Sequence, residues 1–369
     1  MRHAAFEEGD GFSVVTVRRD GILHGALPVA DGPGGFGPPS NYETPVEGIV
    51  ADDPSAMREV AASLMALPAP RITFTYLLAG GPSRAVIDAA AAAAGRRSYA
   101  RTSIRVPVVD TTGTWDDYWA SRSRNLRHNV ERCARRAAES GDLVFEVHDA
   151  FEDGGLEGLL QDGFAVEASG WKGAEGTAIL ADARTRTYYT ELAAWAAAEG
   201  WLRLSFVRLD GRAIAFCFGI EAHGVHYALK VGYEDSMKKL SPGMLLMRGL
   251  IRRSFDIRLR SFDFAGHDAA WKSAWATGID EYEGVLAFAP SVAGRAAHAR
   301  YRCRRWVADG PLRPALERAA ARVRGGRGHT EEPPRKDPSA PPQTAAGAAG
   351  AAATSIDADA SVTRVESPG

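Results

Sequence analysis

Three cysteines, Cys133, Cys217 and Cys303, are all that the 369 residues contain. Their odd number, wide spacing and lack of any C-x-x-C pair exclude a disulfide framework and a zinc knuckle, and fit a reducing compartment. No stretch approaches the ~18 consecutive apolar residues of a membrane span. The acidic start, Met1 to Asp10, has no apolar core of a signal peptide, so the expected location is the cytoplasm. Charge of one sign is missing too: 44 Lys plus Arg stand against 46 Asp plus Glu, so the chain as a whole is no polycation built for nucleic acid. G-x-S-x-G, P-loop and H-E-x-x-H patterns are absent, which argues against esterase, NTPase and zincin chemistry. With 45% hydrophobic and 24% charged residues the composition is that of a globular protein long enough for two domains.

Lysine is also scarce. Six of the 44 cations are lysine and 38 are arginine, yet Lys172, Lys230, Lys238, Lys239 and Lys272 all fall in the second half of the folded region. A chain that writes its cations as arginine keeps lysine where a compact ammonium is needed; an accident of counting is the plain alternative.

A low-resolution repeat runs through the sequence. Phe12 to Arg19, Asp20-Gly21 and Ile22 to Val29 spell a hairpin, and Leu202 to Leu209, Asp210-Gly211 and Arg212 to Ile220 spell it again. A third strand, Val225 to Tyr233, extends the second copy to a meander. Helical periodicity marks Ser55–Ala66, Arg84–Ala94, Trp115–Ser140 with Thr114 as N-cap, Leu156–Ser169, Thr185–Glu199 and Pro242–Phe255; strands are expected at Leu143–His148 and Arg260–Ala265. The fold class expected from this order is α+β. Residues 291–330 form an Arg-rich helical appendage, either a solvated face or a contact for anionic lipid or RNA with Tyr301 and Trp306 as anchors. Residues 331–369 are Pro, Ala, Gly and Ser in the main, a tail expected to be disordered.

The junction after Val225–Tyr233 is the most informative. Ser241-Pro242-Gly243 opens a helix: Ser can cap, Pro suits the first turn, and Gly admits close approach of a ligand. N–H groups at such a start bind phosphate, with Lys238 and Lys239 adding charge; an ordinary capped helix has the same spelling. Acid-base candidates are Glu167 on a helix, Tyr233 at a strand end, and Asp263 between Phe262 and Phe264. His223 and His226 fall on opposite strand faces and do not suggest a metal pair.

Taken in order, Glu167-Ala168-Ser169-Gly170-Trp171-Lys172-Gly173, Leu209-Asp210-Gly211-Arg212, Leu229-Lys230-Val231-Gly232-Tyr233-Glu234, Ser241-Pro242-Gly243-Met244-Leu245, Phe262-Asp263-Phe264-Ala265-Gly266 and Trp271-Lys272 resemble the GNAT-related acetyltransferases of the CelD/BcsL type. The resemblance implies a tandem GNAT-like fold of the FemAB-like kind: mixed, mostly antiparallel sheets flanked by helices, with a degenerate first copy in residues 1–110, a basic connecting helix in 111–141 and the acyltransferase domain in 142–290. It implies N- or O-acyl transfer, with acetyl the expected group, from acetyl-CoA or another acyl-CoA to an amine or hydroxyl acceptor, a small molecule or glycan of exopolysaccharide or cell-envelope synthesis, without a metal. Glu167, Lys230, Tyr233 and Asp263 are the expected catalytic residues. Trp171, Lys172 and Lys272 are expected to bind substrate, and Lys239, Ser241, Pro242 and Gly243 to bind the donor. The usual GNAT pyrophosphate loop is replaced by Lys239-Leu240-Ser241-Pro242-Gly243. FemAB-like relatives depart similarly, so aminoacyl-tRNA is the alternative donor, with Arg122, Arg124, Arg127, Arg132, Arg135 and Arg136 as its footprint. A non-catalytic partner protein with a relic cleft, docked on a membrane or assembly through the Arg-rich segment, is the other reading.

Overall fold

The structure is a computed structural model that describes residues 12–32, 34–41, 46–151, 154–170, 178–309 and 360–364. The first elements are β1 (Phe12–Arg19), β2 (Ile22–Gly32), β3 (Gly35–Gly37), β4 (Val50–Ala51), α1 (Pro54–Ala66), β5 (Arg71–Leu78), α2 (Pro82–Ala93) and β6 (Arg97–Asp110). There follow α3 (Trp115–Ser121), α4 (Arg124–Ser140), β7 (Leu143–His148), α5 (Gly155–Ala168), α6 (Ala183–Ala198), β8 (Leu202–Leu209), β9 (Arg212–Ala222) and β10 (Val225–Tyr233). The chain ends with α7 (Pro242–Asp256), β11 (Ser261–Asp263), α8 (Ala270–Ser273), β12 (Gly278–Phe288), α9 (Val292–Asp309) and β13 (Ala360–Arg364). Short 3-10 turns lie at Ile179–Ala181 and Asp235–Leu240. Two compact units result, a central one (Ile104–Glu281) and a terminal one (Asp10–Ser103 with Tyr282–Gly369), named for their place in the sequence. No helix among the described residues is long and apolar enough to cross a membrane.

The α+β expectation is met, and the repeat runs deeper than the two hairpins. In the terminal unit, β1, β2 and β3 form an antiparallel meander, β5 joins β3 in parallel, and β12 follows antiparallel to β5. In the central unit, β8, β9 and β10 form the meander, β11 joins β10 in parallel, and β6 follows antiparallel to β11. Helix α1 in one unit and α7 in the other occupy the same place between meander and parallel strand. Both Asp-Gly turns put two residues at positive φ, 52° and 77° at Asp20-Gly21 and 50° and 78° at Asp210-Gly211, as a type I′ hairpin requires. Both have a register shift before the turn, at Val17/Arg18 and Val207/Arg208. In each, the shifted arginine donates to the turn glycine's carbonyl, Arg18 at 3.0 Å and Arg208 at 3.3 Å.

Alternating apolar residues place the cores. In the terminal unit Val15, Val17, Leu27 and Val29 pack with Val60 and Leu64 of α1 and Phe74 of β5. The central sheet is covered on both faces. One face carries α4 and α7, through Leu126, Val130, Cys133 and Leu246, and the other carries α5 and α6, through Phe164, Tyr189 and Leu192.

Trp115–Ser140 is two helices, not the single one expected. Arg122 takes an extended conformation (φ −72°, ψ 154°), and Ser123 then caps α4 by accepting from Leu126 N–H at 3.2 Å. Thr114 caps α3 as expected. Strands β5, β6 and β12 carry no turn-bounded signal strong enough for the sequence reading to assign. In the tail, 331–359 and 365–369 lie outside the described residues. Ala360–Arg364, contrary to expectation, forms a strand antiparallel to β1, at the tail's one β-branched pair, Val362-Thr363.

Candidate functional site

Strand β10 pairs with β9 along its whole length but with β11 over only three positions, Val225↔Ser261, His226↔Phe262 and Tyr227↔Asp263. Beyond Tyr227 the ladder between the two parallel strands ends. A bulge between Ala228 and Lys230 re-aims the C-terminal half of β10, and β11 turns away through Ala265 and Gly266, both at positive φ (46° and 64°). A crevice at the carboxyl ends of diverging parallel strands is where open sheets receive ligands.

The register divides the candidates between the two faces of the sheet. Lys230 and Gly232 pair with Phe218 and Phe216, on the α5 and α6 side; Tyr233 pairs with Ala215, on the α7 side. Asp263 is the register partner of Tyr227. Glu167, Lys230 and Asp263 are all buried.

Glu167 lies on Gly232 so closely that a methyl group there would fall 2.5 Å from the Glu167 Cα. Its Oε2 accepts the Ile179 N–H at 2.9 Å, anchoring the 3-10 turn that follows α5. Lys230 Nζ stands 5.4 Å from the Tyr189 ring centroid, a cation over an aromatic face. Asp263 accepts the Ala265 N–H at 2.7 Å. Burial, helped by the charge of Asp280, pushes its carboxyl up to about 6 against the opposing pull of the Ala265 N–H and Lys272. Lys272 Nζ donates to the Ala265 carbonyl, tying α8 to the corner that ends β11. Trp171 and Lys172 lie outside the described residues.

On the other face, α7 begins without the side-chain cap expected of Ser241. That residue takes a left-handed conformation (φ 52°, ψ 54°), and its hydroxyl makes no capping bond. Pro242, at the first position, has no N–H to offer, and the Met244 N–H bonds the Ser241 carbonyl at 2.9 Å, which leaves the Gly243 N–H as the donor of the first turn. The Tyr233 ring backs Gly243: a Cβ there would lie 3.3 Å from Tyr233 Cδ1. Lys239 lies in the last turn of the 3-10 segment, its carbonyl held by Arg136 at 2.8 Å, while Lys238 pairs with Asp235 at 3.1 Å.

The corresponding helix start in the terminal unit is built differently. Asp53 caps α1, accepting from Ser55 N–H at 2.6 Å and Ala56 N–H at 2.8 Å, and pairs with Arg19. Its own carboxylate fills the place where an anion would bind. Among the described residues one histidine-carboxylate cluster, His24 with Asp52 and Asp53, has its ligand atoms within 4.8 Å of one another; these groups are engaged with each other, with the α1 cap and with Arg19.

The basic helix is only partly a free cationic face. Arg122 donates to the Trp275 and Ala276 carbonyls, Arg136 to Lys239, and Arg135 pairs with Glu139.

Two features escaped the sequence reading. A cavity of about 340 Å³ opens where α5 meets the β8–β9 turn, with Asp162, Ser169, Arg208, Arg212 and Glu234 in its lining; these residues come from separate elements and share no motif. The second is a buried cluster in which Glu221 accepts from Arg203 at 2.7 Å and bonds His226 at 3.0 Å and Arg253. Burial holds the His226 ring below its ordinary value, and the ring stacks 5.0 Å from Phe262, bracing the point where β10 and β11 still pair.

With this geometry in view, the comparisons are specific. Residues 124–273 match the acetyltransferase (GNAT) domain family. The fold is similar to FemX (14% identity, TM-score 0.52, covering 75% of this chain and 88% of that one). It is also similar to the C-terminal domain of an Agrobacterium fabrum protein described as a lysylphosphatidylglycerol synthetase (12%, TM-score 0.50, 80% and 88%). A third likeness is to L-PGS from Bacillus licheniformis (11%, TM-score 0.50, 75% and 85%). At these identities the likeness concerns the fold. No curated protein matches the sequence significantly. Residues 124–273 are thus matched by a GNAT acetyltransferase domain, which supports a transferase, and the chain around them shares its fold with FemX.

Proposed function

We propose that the central unit transfers an acyl group, acetyl in the first instance, from acyl-CoA to an amine or hydroxyl acceptor. The observation that carries this reading is the contrast between the two helix starts. Asp53 blocks α1 with its own carboxylate, whereas α7 opens at Ser241-Pro242-Gly243 with no side-chain capping bond. The donor's phosphates fit the second and not the first. The thioester then lies along the unpaired half of β10, whose backbone N–H groups polarise the carbonyl.

Asp263 is the base in this reading. At neutral pH it is ionised but close enough to its titration to accept the acceptor's proton as the new N–C or O–C bond forms and the C–S bond breaks. Tyr233, beside the donor's helix, is placed to return a proton to the leaving thiolate. Glu167 holds the Ile179 turn as a positioning residue, and Lys230 and Lys272 orient the acceptor and the β11 corner. Lys230→Arg and Lys272→Arg conserve charge but not shape. Each is expected to leave the melting temperature within a few degrees, and at least one to lower turnover ~10-fold, or ~1.4 kcal/mol of transition-state stabilisation. Full activity in both would remove the lysines from the site.

The resemblance to the CelD/BcsL type supports a glycan or cell-envelope acceptor. The fold likeness to FemX supports the second donor, aminoacyl-tRNA. A thermal-shift panel of acetyl-CoA, longer acyl-CoAs, free CoA and tRNA separates them, because a ligand that binds only the folded state at 100 times its Kd stabilises by about 2.7 kcal/mol. Stabilisation by the CoA series is expected. Stabilisation by tRNA alone, falling steeply with salt and lost in Arg127→Glu with Arg135→Glu, would transfer the assignment to the second donor; no response to any ligand would favour a relic cleft.

A further inference from the structure

The arginine-rich stretch singled out in the sequence is, in its described part, a docked helix of the terminal unit. Tyr301 of α9 lies 5.6 Å from both Tyr99 of β6 and Phe288 of β12, and His298 stacks 5.1 Å from Tyr99 while bonding its hydroxyl. Outside this aromatic seam opens a cavity of about 360 Å³, lined chiefly by Tyr99, Arg101, Tyr301, Arg302, Arg305 and Trp306. We propose that this face docks the protein on an anionic phospholipid surface, with lipid phosphates in the arginine-lined cavity and Trp306 at the headgroup level.

Charge is the first argument. Residues 292–306 carry Arg295, Arg300, Arg302, Arg304 and Arg305 and no acid, and the adjoining residues 97–103 add Arg97 and Arg101, again with no acid. Among the described residues no acidic side chain pairs with Arg300, Arg302 or Arg304. The positive potential is felt by its neighbours. Burial, and then Arg97 and Arg302, hold His298 below its ordinary value, and burial and Arg304 do the same to Arg71. Arg101, Arg302 and Arg305 line the cavity together, and each such arginine contributes on the order of 1 kcal/mol near an anionic leaflet.

The aromatics decide between a lipid surface and RNA. Single-stranded nucleic acid needs rings free to stack on bases. Here Tyr99 and Tyr301 are engaged with each other, with His298 and with Phe288, so they form a wall and not a platform. Trp306, 60% exposed, is the one open ring beside the cavity, and a lone tryptophan flanked by arginines has the composition of a membrane-interface anchor.

The test is co-sedimentation of the full chain with phosphatidylcholine vesicles that contain or lack phosphatidylglycerol, across a salt series, with unfractionated tRNA as a second probe. Binding is expected only where phosphatidylglycerol is present, and should weaken with salt. Arg302→Glu should lower it at least ~10-fold and Arg302→Lys should largely preserve it, while Trp306→Ala should reduce it; both sites are exposed, and unchanged melting curves confirm that the fold survives. Equal binding to neutral vesicles, no binding to either kind, or tRNA binding lost in the same variants without vesicle binding would each overturn the proposal.

Discussion

Asp263→Asn is expected to raise the melting temperature at pH 7 to 8 while lowering turnover by ~10² or more. The carboxyl is buried and its pKa stands at about 6 against an ordinary 3.8. A folded-state pKa above the unfolded one means that the fold favours the protonated form. That contribution is complete below the unfolded value and is lost as pH rises through about 6, so above it the ionised carboxylate costs the fold at most roughly 3 kcal/mol. Asparagine removes the charge and keeps an oxygen for the Ala265 N–H, so part of that cost, ~1–2 kcal/mol, should be recovered as a few degrees of melting temperature. The gain should vanish below pH ~4. Activity should move the other way, because amides are not bases, and the wild-type rate should rise with pH through about 6. A merely structural aspartate would yield the stability gain with the activity intact, and that outcome would take Asp263 out of the chemistry.

Gly232→Ala should be the most damaging single-methyl addition in the cleft. The added carbon would sit 2.5 Å from the Cα and 2.9 Å from the Cβ of Glu167. The Cα is backbone, which no rotamer change can clear, so α5 must lift from β10. A cost of ~2–4 kcal/mol is expected, with several degrees of melting temperature lost and turnover reduced through displacement of Glu167 and the Ile179 turn. Gly211→Ala, at a left-handed turn position with open space around it (φ 78°), offers a contrast: backbone strain alone should cost ~1 kcal/mol and leave turnover unaffected. Equal stability of Gly232→Ala and the wild type would contradict the close packing of α5 on the cleft strand.

Much of this architecture was legible in the residues. The Asp-Gly turns spelled both hairpins, and the alternation from Leu202 to Tyr233 spelled the central meander. Thr114 and Pro242 marked real helix starts. The reading faltered where tertiary context decides. Arg122 looks helical by propensity, but it is extended because its guanidinium reaches the Trp275 and Ala276 carbonyls, partners 150 positions away that no local pattern reveals. Ser241 has the spelling of a cap, yet its left-handed backbone turns the hydroxyl away from that use. The site was legible as a set of residue types but not as a geometry. Alternation along β10 already puts Lys230 and Tyr233 on opposite faces, but sequence order could not tell that Asp53 occludes the equivalent helix start in the first copy. The cluster of Glu221, His226 and Arg253 went unnoticed because its members pair across β9, β10 and α7.

A single donor site per chain, at the start of α7, is tested most directly by calorimetric titration of free CoA into the wild type, Gly243→Val and Asp53→Ala. One CoA should bind per chain. Gly243→Val, which sets a branched side chain against the Tyr233 ring at the start of α7, should weaken binding at least ~10-fold, or ~1.4 kcal/mol. Asp53→Ala, at the helix start of the other unit, should leave CoA affinity unchanged while costing ~1 kcal/mol of stability through the lost cap. Two equivalents of CoA, undiminished affinity in Gly243→Val, or loss of binding in Asp53→Ala would contradict the assignment.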